Sequence, residues 1–177
     1  MKPAPFDYQA PGTLREAIDL LASNPEASVI AGGQSLMPVL AFRLAAPSML
    51  VDLRRVPGLG NILIGDDGVR LGAMVRWRDI EDDQRLRAAH PLLRKAVGHV
   101  AHYQIRNRGT VGGGLAHADP AAELPGVAVT CEGEITLFGP AGSRTVRAGD
   151  FFILKAVPEP EGRCYAVSPA ARRRPDR

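Results

Sequence analysis

Two short glycine-centred segments carry the residue types best suited to binding chemistry. They are Ala31-Gly32-Gly33-Gln34-Ser35 and Thr110-Val111-Gly112-Gly113-Gly114, each combining adjacent glycines with a hydroxyl residue. Adjacent glycines let the backbone turn freely and leave no Cβ to hold a ligand away. Their amides can then point at phosphate oxygens, and a helix capped at Ser35 adds a favourable dipole. Neither segment matches GxxxxGKS/T or GxGxxG, so neither a mononucleotide P-loop nor a Rossmann site is supported. Each alone is equally a plain glycine turn. Together they suit a pyrophosphate held between two parts of the chain.

Other chemistry-bearing residues have blander readings. His99 and His102 are three apart on a predicted helix and His117 lies near Asp119. Without a second nearby cysteine or an HExxH pattern these read as surface or loop histidines, and no metal site is expected. Glu81-Asp82-Asp83 reads as a solvated helix end. Arg106 and Arg108 flank the second glycine segment and suit either phosphate or a surface role. Cys131 reads as buried and inert, and Trp77, the single tryptophan, as a packing residue. No acid, base or nucleophile stands out.

The elements that must position the glycine segments follow from periodicity. Thr13 and Glu16 have capping-box spacing, and Leu14, Ala17, Ile18 and Leu21 then recur at helical period up to Asn24-Pro25. Residues 27–31 and 49–53 read as buried strands. With the glycine turn and a helix through Met37, Leu40 and Leu44 between them, they make a βαβ unit with parallel strands. After Pro57 the texture becomes antiparallel. Residues 61–65 and 69–73 flank an Asp-Gly turn, and 134–138 and 143–147 flank Gly139-Pro-Ala-Gly142, giving two hairpins. A helix is predicted over 91–101 behind Pro91, and another behind Asp119-Pro120. The expected fold is α+β in two lobes: a βαβ lobe over residues 1–56 and a largely antiparallel lobe with helices over 57–154.

The 177 residues hold 22 basic and 19 acidic side chains, a formal charge of +3 with a pI of about 9.2. Residues 163–177 carry five arginines against Asp176, which leaves residues 1–162 at −1. The basic character is a tail, and a Pro- and Arg-rich end without interleaved aromatics favours disorder over nucleic-acid binding. No apolar run is long enough for a membrane span. The N-terminus lacks the apolar stretch of a signal peptide, so a cytoplasmic location is expected. Cys131 and Cys164 have no CxxC spacing and cannot alone hold an iron–sulfur cluster.

The residues from Val29 to Pro38 (VIAGGQSLMP), from Ile105 to Ala116 (IRNRGTVGGGLA), and then Asp119-Pro120 and Glu123-Leu124-Pro125 closely resemble the FAD-binding medium subunit of molybdenum hydroxylases, of carbon monoxide dehydrogenase and xanthine dehydrogenase type. Phe6-Asp7-Tyr8 and Val51-Asp52-Leu53-Arg54 also fit, and the resemblance covers roughly residues 3–152. It implies FAD held between two lobes, its pyrophosphate between the glycine segments. The cofactor contacts it implies are Ala31, Gly32, Gly33, Gln34, Ser35, Thr110, Val111, Gly112, Gly113 and Gly114, with Glu123 nearby. The family's second loop usually ends in Asn or Ser; here it ends in Gly114. The resemblance further implies an oxidoreductase subunit whose flavin is an electron port. A molybdenum large subunit would oxidise the substrate, and a small subunit would relay electrons through [2Fe–2S] clusters to FAD and an external acceptor. Family members continue beyond Asp150-Phe151-Phe152 into a further domain. The segment 155–177 is therefore expected to be a disordered or aberrant tail, with truncation, through a frameshift, as its origin. Two alternatives stay open: a remnant that folds without tight flavin binding, and a stand-alone FAD oxidoreductase of the same broad fold.

Overall fold

Thr13 and Glu16 form the capping box their spacing predicts. The Glu16 amide donates to Thr13 Oγ1 (3.1 Å), while Glu16 Oε2 accepts from the amides of Thr13 (3.3 Å) and Gly12 (2.9 Å). The helix they open, α1 (Leu14–Ser23), buries Ala17, Ile18 and Leu21 against a small sheet. The computed structural model describes residues 2–154 and 166–172. In it, strands β1 (Asp7–Gln9), β2 (Ala27–Ile30) and β3 (Met49–Asp52) form a three-stranded parallel sheet in the order β1-β3-β2. The predicted βαβ unit is present. Its first strand is only half-buried, however, because β2 lies at the sheet edge, whereas β3 is enclosed in the middle. β1 has three exposed residues and no period for a sequence reading to detect.

What fastens β1 is a buried carboxylate. Asp52, fully buried at the end of β3, accepts from the Tyr8 hydroxyl (2.7 Å) and from the Arg54 amide (2.9 Å) and guanidinium (2.6 Å). The hydrogen bond to Asp52 holds the Tyr8 phenol above its ordinary pKa. A buried charge so fully bonded resists displacement, because removing any partner leaves it uncompensated.

A second, antiparallel sheet has the order β4-β5-β8-β6-β7. Its strands are β4 (Ile62–Gly65), β5 (Gly68–Leu71), β6 (Glu134–Gly139), β7 (Gly142–Arg147) and β8 (Ala166–Arg172). Both predicted hairpins form; the first closes one residue before its Asp-Gly signal, and the second closes within the predicted Gly139–Gly142 turn. The first turn is Asp66-Asp67, with Gly65 paired to Gly68 at φ +139°; the second is Pro140-Ala141, with Gly139 paired to Gly142 at φ +115°. β8 departs from the expected structureless tail. Residues 166–172 pair with β5 on one side and β6 on the other, satisfying ladder groups that two separate hairpins would leave bare. The rest of that expected tail, 155–165 and 173–177, lies outside the described residues.

Helices α3 (Trp77–Asp82), α4 (Leu86–Ala89), α5 (Pro91–Val97), α7 (Val111–His117), α8 (Glu123–Thr130) and α9 (Ala148–Leu154), with the single turn α6 (Tyr103–Arg106), accompany this sheet. Val75, Ile80, Leu86, Val111, Leu115 and Ile135, each fully enclosed, centre its core. The α+β reading holds. The helix predicted over 91–101 stops at Val97, where Gly98 follows. Among the described residues no helix is long and apolar enough to cross a membrane.

His90 caps α5: its Nδ1 accepts from the Leu93 amide (3.2 Å), which requires an unprotonated ring, and burial holds its pKa below the ordinary value. The unfolded chain therefore takes up a proton that the folded His90 resists, so stability is full above about pH 6.5 and declines as pH falls below it. Denaturation of the native chain and His90→Asn between about pH 7.5 and 5 should show this slope flattened in the variant, which keeps a capping acceptor. Gly126, inside α8, has nothing within 4 Å of a Cβ. Gly126→Ala should stabilise the protein by about 0.5–1 kcal/mol in chemical denaturation.

Candidate functional site

The first glycine segment leaves β2 at its C-terminal end, beside Asp52, which pairs with Ile30. Gly33 sits at φ +72°, a conformation that favours glycine, and helix α2 (Leu36–Ala41) follows. The Met37 amide donates to the Gly33 carbonyl (3.0 Å) and Gln34 Nε2 to the Gly32 carbonyl (3.1 Å). Ser35 does not cap α2 through its hydroxyl as expected. Its backbone is already helical (φ −96°, ψ −43°), not in the extended form that aims a cap. The amides of Gly32, Gly33, Gln34 and Ser35 have no acceptor among the described residues. Half-buried Gly32, Gly33 and Gln34 thus offer donors that an external anion would satisfy.

The second segment is different in kind. It is the first turn of helix α7, capped by Thr110, whose Oγ1 accepts from the Gly113 amide (3.2 Å). The Val111 amide donates to Val75 (2.8 Å), Gly112 to Ala73 (2.8 Å) and Gly114 to Thr110 (2.9 Å). Its glycines serve close packing. A Cβ on Gly112 would lie 2.7 Å from the Ala73 Cβ, and one on Gly114 would lie 2.8 Å from Trp77 Cζ2. The expectation that its amides face a phosphate is therefore corrected for Val111 to Gly114: the protein itself accepts from them.

One contact brings the two segments together. A Cβ on Gly32 would stand 2.1 Å from the Arg108 carbonyl oxygen and 2.9 Å from the Gly109 Cα, so backbone lies directly on backbone. Gly109 in turn lies on Trp77, and the Trp77 amide donates to the Gly109 carbonyl (3.1 Å). Neither Gly109 nor Trp77 stood out as a site residue from the sequence; the signal available was that Gly109 directly precedes Thr110. Glu123 opens α8, is half-buried, and has no bonded partner among the described residues. Asp119 does not cap that helix as predicted; its Oδ1 accepts from the Ala121 amide (2.9 Å) in a tight turn, and α8 starts later.

The remaining candidates separate cleanly. His99 and His102 are exposed and not on a common helix, since α5 ends before them and His102 precedes α6. Arg106 is occupied: its Nε lies 3.0 Å from Glu81, and its guanidinium donates to the carbonyls of Val100 (3.0 Å) and Ala101 (3.1 Å). The acidic run is correspondingly not a solvated end. The Glu81 side chain is only 19% exposed and lies between Arg78 and Arg106. Arg108 is exposed and meets the first segment through its carbonyl. Cys131 is buried.

The profile of the FAD binding domain in molybdopterin dehydrogenase matches residues 4–160. The chain belongs to that family. Among its relatives, the 6-hydroxypseudooxynicotine dehydrogenase complex subunit alpha of Paenarthrobacter nicotinovorans is 45% identical over 147 residues, 82% of this chain and 50% of the relative. The carbon monoxide dehydrogenase medium chain of Hydrogenophaga pseudoflava is 39% identical over 154 residues, 86% of this chain and 54% of the relative. In three dimensions the fold matches quinoline 2-oxidoreductase from Pseudomonas putida 86 with a TM-score of 0.90 at 41% identity, covering 97% of this chain and 60% of that one. The chain spans about half the length of the curated relatives it matches.

For this FAD-binding domain, the Gly32 contact makes a direct prediction. Gly32→Ala puts a Cβ against a carbonyl that cannot move aside cheaply, and should cost about 1–3 kcal/mol of stability in chemical denaturation. A stability equal to that of the native chain would show that the two glycine segments do not meet as described.

Proposed function

We propose that this chain is the FAD-binding electron-transfer subunit of a cytoplasmic molybdenum hydroxylase complex. In that role it accepts electrons from [2Fe–2S] clusters of a small partner subunit, which are fed by a molybdenum large subunit that oxidises the substrate. The observation that carries the reading is the set of unspent amides on Gly32, Gly33, Gln34 and Ser35, held against Arg108 and Gly109 by a glycine that admits no side chain. An anionic pyrophosphate suits those donors, and the left-handed Gly33 keeps the loop open to it. Thr110 to Gly114 would form the facing wall by shape, and Glu123, at the start of α8, would border the site.

Bound FAD would supply the redox chemistry, exchanging single electrons with an iron–sulfur centre and electron pairs with an external acceptor. The chain's own residues position it. The Asp52 cluster fixes the end of β3 beside which the first loop leaves β2, and the Trp77–Gly109–Gly32 stack sets the width of the seam.

The test is flavin content. The purified chain should carry, or take up, FAD with a yellow flavin spectrum, and Gly33→Asp should abolish uptake by adding a negative charge to the loop and straining a residue at φ +72° whose Cβ would meet Met37 Cγ at 3.2 Å. A colourless protein that folds cooperatively and ignores added FAD would overturn the proposal in favour of a remnant. Full flavin in Gly33→Asp would displace the site. Co-expression with adjacent genes should recover an iron–sulfur subunit; FAD loading with no such partner would favour a stand-alone flavoprotein.

A further inference from the structure

Arg108 stands where the two glycine segments touch. Its carbonyl carbon lies 2.8 Å from the position a Gly32 Cβ would take, so its Cα, one bond further, sits beside the first segment. The backbone there is fixed, because the amides of Arg108 (3.1 Å) and Gly109 (2.7 Å) both donate to the Ile105 carbonyl. The side chain is the reverse: it is exposed and has no hydrogen bond or ion pair among the described residues. Other arginines of the neighbouring elements are committed. Arg76 is held by Asp79 (2.7 Å), Arg78 by Asp82 (2.8 Å), Arg106 by Glu81 (3.0 Å) and Arg54 by Asp52 (2.6 Å). Of these five, Arg108 alone keeps its guanidinium free. The unspent amides begin at Gly32 itself, so one contact brings together an immobile Cα bearing a free cation and a run of unpaired N–H donors. Amides offer an anion only partial charges, whereas a guanidinium offers a full charge and paired N–H groups that match phosphate oxygens.

We infer that Arg108 is a further cofactor-binding residue, whose guanidinium closes over the loop from the solvent side and pairs with a pyrophosphate oxygen of FAD held on the Gly32–Ser35 amides. This rests on the FAD site proposed above. The packed backbone does not stand in the way: the Arg108 carbonyl is spent on the contact with Gly32, while the side chain diverges from that contact into solvent. The two groups then divide the task, the amides orienting the pyrophosphate and the guanidinium neutralising it. An arginine in an ordinary surface role contributes little through its charge, which is the difference the experiment reads.

Arg108→Gln removes the charge from an exposed, unbonded side chain, so the flavin-free full chain should keep its melting temperature. Its affinity for FAD, titrated at low ionic strength, should fall roughly tenfold, and its affinity for ADP, which shares the pyrophosphate, should fall with it. The deficit should shrink as added salt screens the native charge. Arg108→Lys should recover part of the loss, since it restores the charge without the paired donors. Arg87→Gln makes the same change of net charge at an exposed position of α4 and should leave FAD affinity at the native value. Native affinity in Arg108→Gln, or an equal deficit in Arg87→Gln, overturns the inference while leaving the FAD site intact. A deficit for FAD without one for ADP overturns the pyrophosphate assignment. A native chain that takes up no FAD overturns both the site and this inference.

Discussion

Everything at the candidate site depends on one steric fact: at Gly32 the chain has no room for a β-carbon. The Arg108 carbonyl oxygen occupies the space that atom would need. Backbone contact this close has two effects. It brings a loop from the parallel sheet and a loop from the antiparallel sheet to a separation that side chains would forbid, and it makes that separation hard to vary. Ordinary side-chain packing relaxes through rotamers, whereas backbone against backbone has few ways to yield. The seam is accordingly a rigid feature between two cores that are otherwise built independently.

The two glycine segments look interchangeable as strings of letters, but they do opposite work. Along the first, four consecutive amides have no acceptor among the described residues, an arrangement that favours an anion. Along the second, every amide from Val111 to Gly114 already donates within the protein, and the missing side chains make space for Ala73 and Trp77. One is open chemistry and the other is close packing. What distinguishes them is the hydrogen-bond partner of each N–H, and composition alone does not carry that information.

This also marks how far the residues themselves could be followed. The α1 capping box, the βαβ unit and both hairpins follow from local signals, namely spacing, β-branching and turn glycines, and each forms. Where the reading failed, a competing local bond or a distant partner decided the outcome. The helix start at Glu123 loses Asp119 to a local turn. The acidic run at Glu81 is drawn inward by Arg106, twenty-five positions along the chain. Strand β8 is built from Pro- and Arg-containing sequence with no strand signature, because two hairpins already present ladders to it. Gly109 gains its importance from touching both Trp77 and Gly32, a relation that no single-chain period encodes.

The central place of β8 bears on how the chain comes to be folded. The hairpins β4–β5 and β6–β7 are complete long before residue 166 is added, but only β8 joins them into one sheet. During synthesis each hairpin therefore carries an unpaired inner edge, the kind of surface that pairs readily with another molecule. Closure must wait for the latest-made strand to thread between two ladders formed about thirty to a hundred residues earlier, a long-range step of the sort that slows folding. Nascent chains of this protein are thus at greatest risk of misassociation in the interval before that strand arrives, and recombinant yield should depend on how that interval is protected.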